Sequence, residues 1–338
     1  MKDVILQKAL NELKVRTDFK IIWKKNDREK RIDGELTCFV NDTTYKWQVQ
    51  VKTAITPNYL VQFTNNVADH TVKRKYPLVI TEYVYPKLRE QLKNNNIAYL
   101  DTAGNIFLQQ GPFFIFIDGN PKPADTDKQK NRVFTKAGLQ VLYYLLRDKK
   151  NINKTYREIA ETAGTALDTV HKTINGLKLM KYTIQINEKT YKLIHIKELL
   201  EKWIYEYELK LKPKLLIGTF RFAKKQEFHK WNNLQLKPGA TFWGGEAAGA
   251  ILTDYLNPEI LTIYTTEVHN ELIKNYQLIP DPNGNVMAYK IFWNDDKIRN
   301  DKTVDPLLTY ADLINVGDKR CVETANIIYD KYLRNRFQ

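Results

Sequence analysis

The chain has 338 residues, of which 43% are hydrophobic and 12% aromatic. This composition is typical of an ordered globular protein with two or three domains, and it argues against a disordered chain. No apolar run approaches the roughly 20 residues that cross a membrane, and the polar N-terminus does not resemble a signal peptide. The two cysteines, Cys38 and Cys321, lie too far apart in sequence to indicate a metal site or a disulfide framework. We therefore expect a protein of the reducing cytoplasm with no membrane contact.

The net charge of +14 is unevenly distributed along the chain. It amounts to +6 over residues 1–123, +7 over residues 124–195 and +1 over residues 196–338. Clustered positive charge is the electrostatic signature of polyanion binding. A lysine-rich genome would raise basicity everywhere, and the near-neutral C-terminal region argues against that as the whole cause. The middle segment is therefore the part expected to contact nucleic acid.

Residues 1–123 carry the pattern of an α/β domain, because helical and strand-like periodicities alternate along them. The pattern predicts helices over Val4–Leu13 and Tyr85–Asn94. It predicts strands over Phe19–Lys24, Leu36–Val40, Tyr45–Lys52, Leu78–Thr81, Ala98–Leu100, Ile106–Leu108 and Phe113–Ile117.

Three polar residues of this domain form a candidate catalytic site. Asp33 before one predicted strand, with Gln50 and Lys52 at the end of the next, resembles the Asp…(Glu/Gln)-x-Lys pattern of restriction-endonuclease-like nucleases, the PD-(D/E)xK type. In such a site a carboxylate holds Mg²⁺ and a lysine orients water or stabilises developing charge. Glutamine is a weaker ligand than glutamate, although some nucleases of this fold carry it. We favour an inactive domain with an ordinary polar strand, so that no cofactor is expected unless the nuclease interpretation holds.

A polar, proline-containing stretch over Gly119–Lys130 predicts a linker, placed at residues 124–131, before a predicted winged helix-turn-helix over residues 132–195. Its first helix spans Thr135–Leu146, and a capping box of Thr155 and Glu158 begins the second. Gly164 permits the turn into a third helix, where a second capping box of Thr165 and Asp168 is predicted. The strands Tyr182–Asn187 and Thr190–His195 then form a hairpin, the wing.

The third helix of this segment is the predicted DNA-reading element. Its Leu167, Val170, Ile174 and Leu177 are expected to pack inward. Hydrogen-bonding and cationic side chains suited to phosphates and base edges occupy the opposite side. The predicted DNA contacts are Thr165, Asp168, Thr169, Lys172 and Asn175 of the helix and Lys189 of the hairpin turn. Double-stranded DNA is the expected partner, and a winged helix used only for protein contact is the alternative.

Residues 196–338 are predicted to form a third, α/β domain with a regulatory or partner-binding role, because alternating helices and strands run through them without a catalytic motif. The expected fold class is thus multidomain α/β: a restriction-endonuclease-like domain, a winged helix-turn-helix and an α/β C-terminal domain. A DNA-binding regulator is the leading interpretation. A Mg²⁺-dependent DNA nuclease targeted by the winged helix is the alternative.

Several short strings of residues point to a family. Tyr99–Asn105, preceded by Leu78–Leu92 and followed by the basic segment, resembles the type IV abortive-infection antitoxins, the AbiEi-like transcriptional regulators. The strings Phe242–Ala247, Asp305–Leu313 and Arg320–Ala325 are similar to those of the same proteins. This resemblance implies a DNA-binding antitoxin that represses its own operon and counters a nucleotidyltransferase-like toxin encoded nearby. The long N-terminal domain is a departure from the simpler antitoxins.

Overall fold

The computed structural model describes residues 2–26, 32–55, 76–122, 132–188, 190–294 and 302–337. The chain divides into two compact units, Met1–Ala124 and Asp125–Gln338. Helices and strands mix in both units, so the protein is of the mixed α/β class, as predicted.

The N-terminal unit is built on one β-sheet. Its described helices are α1 (Lys2–Thr17) and α2 (Pro86–Asn94). Its described strands are β1 (Lys20–Lys25), β2 (Gly34–Val40), β3 (Thr43–Lys52), β4 (Tyr76–Thr81), β5 (Ala98–Asp101), β6 (Ile106–Gln110) and β7 (Phe113–Ile117). They follow one another in the sheet in chain order. The β3–β4 and β4–β5 pairs are parallel and the remaining pairs are antiparallel.

The sheet separates two hydrophobic clusters. Leu6 and Leu13 of α1 pack with alternate residues of β3, including Trp47 and Val49. Buried residues of α2 belong to the cluster on the other side. The alternation predicted for β3 is confirmed, because Trp47, Val49 and Val51 are buried whereas the intervening polar residues are half-buried. Period-two alternation along a half-buried strand explains why the sequence located this element well.

The C-terminal unit begins with three helices and a hairpin. These are α3 (Lys136–Arg147), α4 (Tyr156–Ala163), α5 (Leu167–Leu179), β8 (Thr183–Asn187) and β9 (Thr190–Leu193), with a 3₁₀ turn at Lys149–Asn153. The two strands pair antiparallel. The predicted elements over residues 132–195 are therefore confirmed in type and order. We refer to this stretch as the helix–hairpin segment.

The rest of the unit surrounds a second sheet. Its helices are α6 (Ile196–Glu206), α7 (Lys212–Leu215), α8 (Gly245–Thr253), α9 (His269–Tyr276), α10 (Pro306–Val316), α11 (Lys319–Ile328) and α12 (Arg334–Phe337). Its strands are β10 (Leu216–Phe222), β11 (Thr241–Gly244), β12 (Leu261–Thr265), β13 (Leu278–Pro280) and β14 (Val286–Lys290). Their order is β11-β12-β14-β10-β13, and only the β12–β14 pair is parallel. Tyr207–Leu211 and Tyr329–Leu333 form π-helical turns, and Lys225–Asn233 forms 3₁₀ turns.

The helix–hairpin segment and the region that follows it share one hydrophobic core. Buried leucines of α3, including Leu139, lie in the same cluster as Trp203 of α6. The Trp203 indole N–H donates to the Leu139 carbonyl over 2.9 Å. At the end of α3, the Arg147 guanidinium pairs with Asp305 at 3.1 Å. The packing of α3 is therefore set by residues far along the chain.

In the part of the chain that the structure describes, no helix is long and apolar enough to cross a membrane.

Candidate nucleic-acid interface

Helix α4, which precedes the turn, begins at the predicted capping box. The Thr155 hydroxyl accepts the Glu158 backbone N–H at 3.2 Å, and the Glu158 carboxylate accepts the Thr155 backbone N–H at 2.8 Å. Each side chain thus satisfies a donor that a helix start leaves open. The hydrogen bond from the Thr155 backbone also lowers the pKa of Glu158. This predicted helix start is confirmed.

The turn between α4 and α5 depends on Gly164. Its φ is +63°, in the left-handed region where a side chain is strained and glycine is not. The Thr165 backbone N–H then reaches back to the Ala160 carbonyl over 2.9 Å. This six-to-one bond is the Schellman arrangement that ends many helices. The sequence prediction of a glycine turn is confirmed.

The predicted start of α5 is wrong in detail. The residue that caps the helix is Ala166, and no side chain caps it, so Thr165 and Asp168 form no capping box. The physical reason is that the Thr165 backbone already closes the end of α4. Its hydroxyl oxygen is buried, and no hydrogen-bond partner for it is found among the described residues. The Thr165 hydroxyl thus faces inward in this structure, and its predicted contact with DNA stays a prediction.

Helix α5 places one apolar residue differently from the prediction. Val170, Ile174 and Leu177 are buried, as expected, but the Leu167 side chain is 52% exposed. Leu167 is the first residue of the helix, where the chain has only just left the turn. The exposed Leu167 therefore adds one apolar side chain to the otherwise polar surface of α5.

A polar stripe runs along the outer side of α5. Asp168, His171 and Lys172 are exposed, and Thr169 and Asn175 are half-buried. Two pairs form along it at the i,i+4 spacing. The Lys172 ammonium bonds the Asp168 carboxylate, and Asn175 Nδ2 lies 3.1 Å from His171 Nδ1. Pairs of this spacing on an exposed helix are weak, about 0.2–0.5 kcal/mol each, so a ligand can replace them.

His171 is a stripe residue that the sequence prediction left out. Its ring meets the Tyr156 ring edge-to-face, with centroids 5.3 Å apart. The signal was present in the spacing, because His171 lies three residues after Asp168 and four before Asn175. A histidine that contacts both the stripe and α4 belongs to this surface.

The hairpin is anchored beside the helices. Asn153 donates to the Tyr191 carbonyl at 3.0 Å and accepts the Tyr191 backbone N–H at 2.7 Å. The Lys178 ammonium of α5 lies 4.2 Å from the centre of the Tyr191 ring. Strand β8 leaves Ile184 and Ile186 exposed. Lys189, the predicted contact in the hairpin turn, lies outside the described residues.

The three residues of the nuclease pattern lie close to one another, with Asp33 beside the end of β3 that carries Gln50 and Lys52. Asp33 precedes β2, and its carboxylate accepts the Val51 backbone N–H at 2.8 Å, between Gln50 and Lys52. Its other oxygen accepts the Lys2 ammonium at 2.9 Å. Both carboxylate oxygens thus have protein partners. Over the described residues, no group of three or more His, Cys, Asp or Glu side chains could hold a metal ion.

The Tyr99–Asn105 string forms a buried hydrogen-bond network. Asp101 accepts the backbone N–H groups of Val84, Ala103 and Asn105, at 3.0, 2.9 and 2.9 Å. Burial raises the pKa of Asp101, and these hydrogen bonds oppose that effect. The Arg89 guanidinium of α2 donates to the Asn105 side chain at 3.1 Å. Every polar atom named here forms a hydrogen bond within the protein, which indicates a structural role for the Tyr99–Asn105 string.

The three strings of the C-terminal region include parts of α8, α10 and α11, which pack against one another. A Cβ on Gly249 of α8 would lie 3.0 Å from Leu313 of α10 and 3.2 Å from Thr324 of α11. Close approach of three helices therefore explains this glycine. Nearby, Arg320 lies 3.7 Å from the buried Glu246 carboxylate, whose pKa is raised by burial.

A buried polar cluster is formed by Asp312 of α10 with Tyr207, Lys212 and Tyr264. The Asp312 carboxylate pairs with Lys212 at 3.0 Å and accepts the Tyr264 hydroxyl at 2.9 Å. The Tyr207 and Tyr264 hydroxyls are 2.5 Å apart. The π-helical turn that begins at Tyr207 places it alongside Lys212, five residues later.

Residues 192–334 match the family described as "Transcriptional regulator, AbiEi antitoxin, Type IV TA system". No curated protein and no solved structure matches the chain significantly. The match begins in β9 and covers the buried polar cluster and all three C-terminal strings. From β9 to α12, the protein is similar to the AbiEi antitoxins, transcriptional regulators of type IV toxin–antitoxin systems.

Proposed function

We propose that this protein is a DNA-binding transcriptional regulator, the antitoxin of a type IV abortive-infection toxin–antitoxin system. The observation that carries the proposal is the polar stripe of α5. It lies on a helix entered through a tight glycine turn and followed by a hairpin, which is the arrangement of a winged helix-turn-helix. The net charge of +7 over residues 124–195 favours a polyanion as the ligand.

The stripe contains side chains that can read base edges in a major groove. Asparagine pairs with adenine through two hydrogen bonds, and a carboxylate accepts from the cytosine amino group. Asn175 and Asp168 are the corresponding residues. Lys172 is suited to a phosphate or to guanine, and the exposed Leu167 to a thymine methyl group. The Asp168–Lys172 pair would open on binding, because each partner gains a DNA contact in its place.

Binding to DNA from its own upstream region tests the proposal. Gel shifts at several salt concentrations should show salt-sensitive binding, and Lys172→Ala combined with Asn175→Ala should weaken it more than tenfold. The slope of log K against log salt should fall by about one, since one phosphate contact is lost.

The matched control replaces the same residue types elsewhere. Lys319 and Asn283 are exposed and lie outside the helix–hairpin segment. Lys319→Ala with Asn283→Ala should leave the affinity within about twofold. Salt-insensitive binding, or equal effects of the two double variants, would contradict the proposal.

The family match adds a partner to the proposal. The regulators described by that family are antitoxins, so the C-terminal region is the part we assign to counteracting a nucleotidyltransferase-like toxin. A gene for such a toxin immediately beside this one would support the assignment. Co-expression should relieve toxicity, and co-purification would show whether the two proteins bind directly. Toxicity unchanged by co-expression would remove the antitoxin role while leaving DNA binding intact.

A Mg²⁺-dependent nuclease is the second candidate, and one observation favours it. The Asp33 carboxylate lies against β3 between Gln50 and Lys52, as the restriction-endonuclease-like pattern requires. A metal would have to compete with Lys2 for this carboxylate. Incubation with plasmid DNA and Mg²⁺ tests the candidate. Cleavage lost in both Asp33→Asn and Lys52→Ala would establish it, and no cleavage by the unaltered protein would remove it.

A further inference from the structure

The segment Ile291–Asn294 follows the second sheet in the chain and packs against the helix–hairpin segment. It directly follows β14, which lies between β12 and β10 in the sheet. The Ile291 backbone N–H still bonds to the Thr265 carbonyl of β12 at 3.1 Å. The segment therefore leaves the sheet with its position set by the family-matched region.

Three hydrogen bonds tie this segment to the helices that precede the turn. Gln140 of α3 donates its amide to the Phe292 carbonyl at 3.1 Å. The Asn294 backbone N–H donates to the Thr162 carbonyl at 2.8 Å, and the Asn294 side-chain amide to the Glu161 carbonyl at 3.3 Å. Thr162 and Glu161 are in the last turn of α4, where helix carbonyls have no partner within the helix. Asn294 thus supplies donors from outside the helix to the end of α4.

Aromatic packing holds the same segment in place. The Phe292 and Trp293 rings lie 5.0 and 5.8 Å from the Tyr143 ring of α3, centroid to centroid. On its other side Trp293 meets Tyr264 of the buried polar cluster at 5.9 Å. The segment is therefore held between the interior of the family-matched region and α3.

The turn glycine is also in contact with it. A Cβ built on Gly164 would lie 3.6 Å from the Phe292 carbonyl oxygen and 3.7 Å from Asn294 Nδ2. Residues 292–294 thus face the point at which the chain changes direction into α5. The direction of α5 depends on this turn, and so does the direction of its polar stripe.

We propose that Asn294 is a positioning residue for DNA recognition: it holds the end of α4, while the Phe292 carbonyl is held by Gln140 of α3, and these bonds together orient α5. The family-matched region thereby contributes to DNA affinity without touching DNA. The inference rests on the proposed function, since it concerns the same α5 surface. A mispositioned helix loses its alignment with the groove but keeps its charges. Loss of the positioning role should therefore lower the affinity for the specific site without changing the salt dependence.

The test uses the full chain with Gln140→Ala combined with Asn294→Ala, which removes two of the tethers and no stripe residue. We expect affinity for the specific site to fall about tenfold, whereas the salt slope and the non-specific affinity stay unchanged. Hydrogen exchange should accelerate at the Thr165 and Val170 amides and not in α3. Asn294→Ala alone should show a smaller effect in the same direction, and it replaces the double variant if the latter unfolds. Asn283→Ala is the matched control.

The two proposals fail in different ways. No effect of the stripe variants Lys172→Ala and Asn175→Ala on DNA binding would overturn the regulator proposal. A loss of binding in those variants, with unchanged affinity in the Gln140 and Asn294 variants, would overturn only the positioning role. An altered salt slope in the tether variants would also overturn it, because that result would place Asn294 among the phosphate contacts.

Discussion

The polar stripe of α5 and the buried polar cluster both consist of charged and hydrogen-bonding side chains in one unit, but they differ in exposure. The Asp168 side chain is 71% exposed and Asp312 is 2% exposed. Asp168 bonds one neighbour on its own helix, whereas Asp312 bonds Lys212 and Tyr264 from other elements. The stripe therefore keeps its polar groups for a ligand, and the cluster uses its groups to hold the fold.

The protonation behaviour of the buried cluster reflects the same difference. Burial raises the pKa of the Tyr207 and Tyr264 hydroxyls, since the charged form is disfavoured without water. Burial alone would lower the pKa of Lys212, but the Asp312 and Glu208 carboxylates outweigh it and raise the pKa. Lys212 is thus held in its cationic form beside the Asp312 carboxylate.

The largest expected effect comes from breaking the buried ion pair. Asp312→Ala leaves the Lys212 ammonium without its main partner, and losing one member of a buried pair typically costs about 3–5 kcal/mol. Urea unfolding measures the difference. Asp168→Ala is the matched control and should cost less than about 0.5 kcal/mol. Equal losses of stability in the two variants would contradict the conclusion that the cluster, and not the stripe, holds the fold.

A second effect appears at alkaline pH. Burial raises the pKa of Tyr289, beside the cluster, to about 12, against about 10 in the unfolded chain. Between these two pH values the folded state binds more protons than the unfolded state. The contribution of Tyr289 to the free energy of unfolding is therefore fully present below about pH 10 and is lost as the pH rises toward 12. Tyr289→Phe should reduce this decline by about 3 kcal/mol, since each unit of pKa difference corresponds to about 1.4 kcal/mol. An unchanged pH profile of unfolding would contradict the shift.

The turn before the stripe should have an intermediate effect. Gly164→Ala places a side chain at φ +63°, which costs about 1–2 kcal/mol of stability. Gly164→Asn is the control and should cost less, since asparagine tolerates this conformation better. Thermal or urea unfolding measures both. If alanine and asparagine cost the same, the space around the turn, and not its backbone conformation, would be the constraint.

The smallest effect on stability belongs to the stripe itself. Lys172→Ala removes an exposed i,i+4 pair and should change the free energy of unfolding by about 0.3–0.5 kcal/mol. The same substitution is expected to weaken DNA binding clearly, so stability and function separate at this residue. A stability loss above about 1 kcal/mol would mean that the stripe also supports the fold.

Local elements were predictable wherever neighbouring residues decide them. The capping box of Thr155 and Glu158, the glycine turn and the alternation along β3 depend on residues only a few positions apart. The short strands β11 and β13 were not predictable, because four and three residues give too little periodicity. Their places in the sheet depend on β12 and β10, which lie elsewhere in the chain.

The candidate site was predictable in part for the same reason. Asp168, Lys172 and Asn175 lie on the outer side of α5, as the helical spacing indicated. The inward hydroxyl of Thr165 and the exposed Leu167 were not predictable, because they depend on how α5 leaves the turn. The predicted DNA contacts themselves remain to be tested by the variants above.

The sequence by itself determined the helix and strand types, the turn at Gly164 and the basic character of the middle segment, because spacing, backbone preference and charge count need no distant partner. The tertiary structure decided which polar groups are used internally. Asp312 finds Lys212 and Tyr264, and Asn294 finds the end of α4, across separations of 48 to more than 130 residues. Such contacts arise only when the core is packed, since the entropy of the free chain keeps these groups apart.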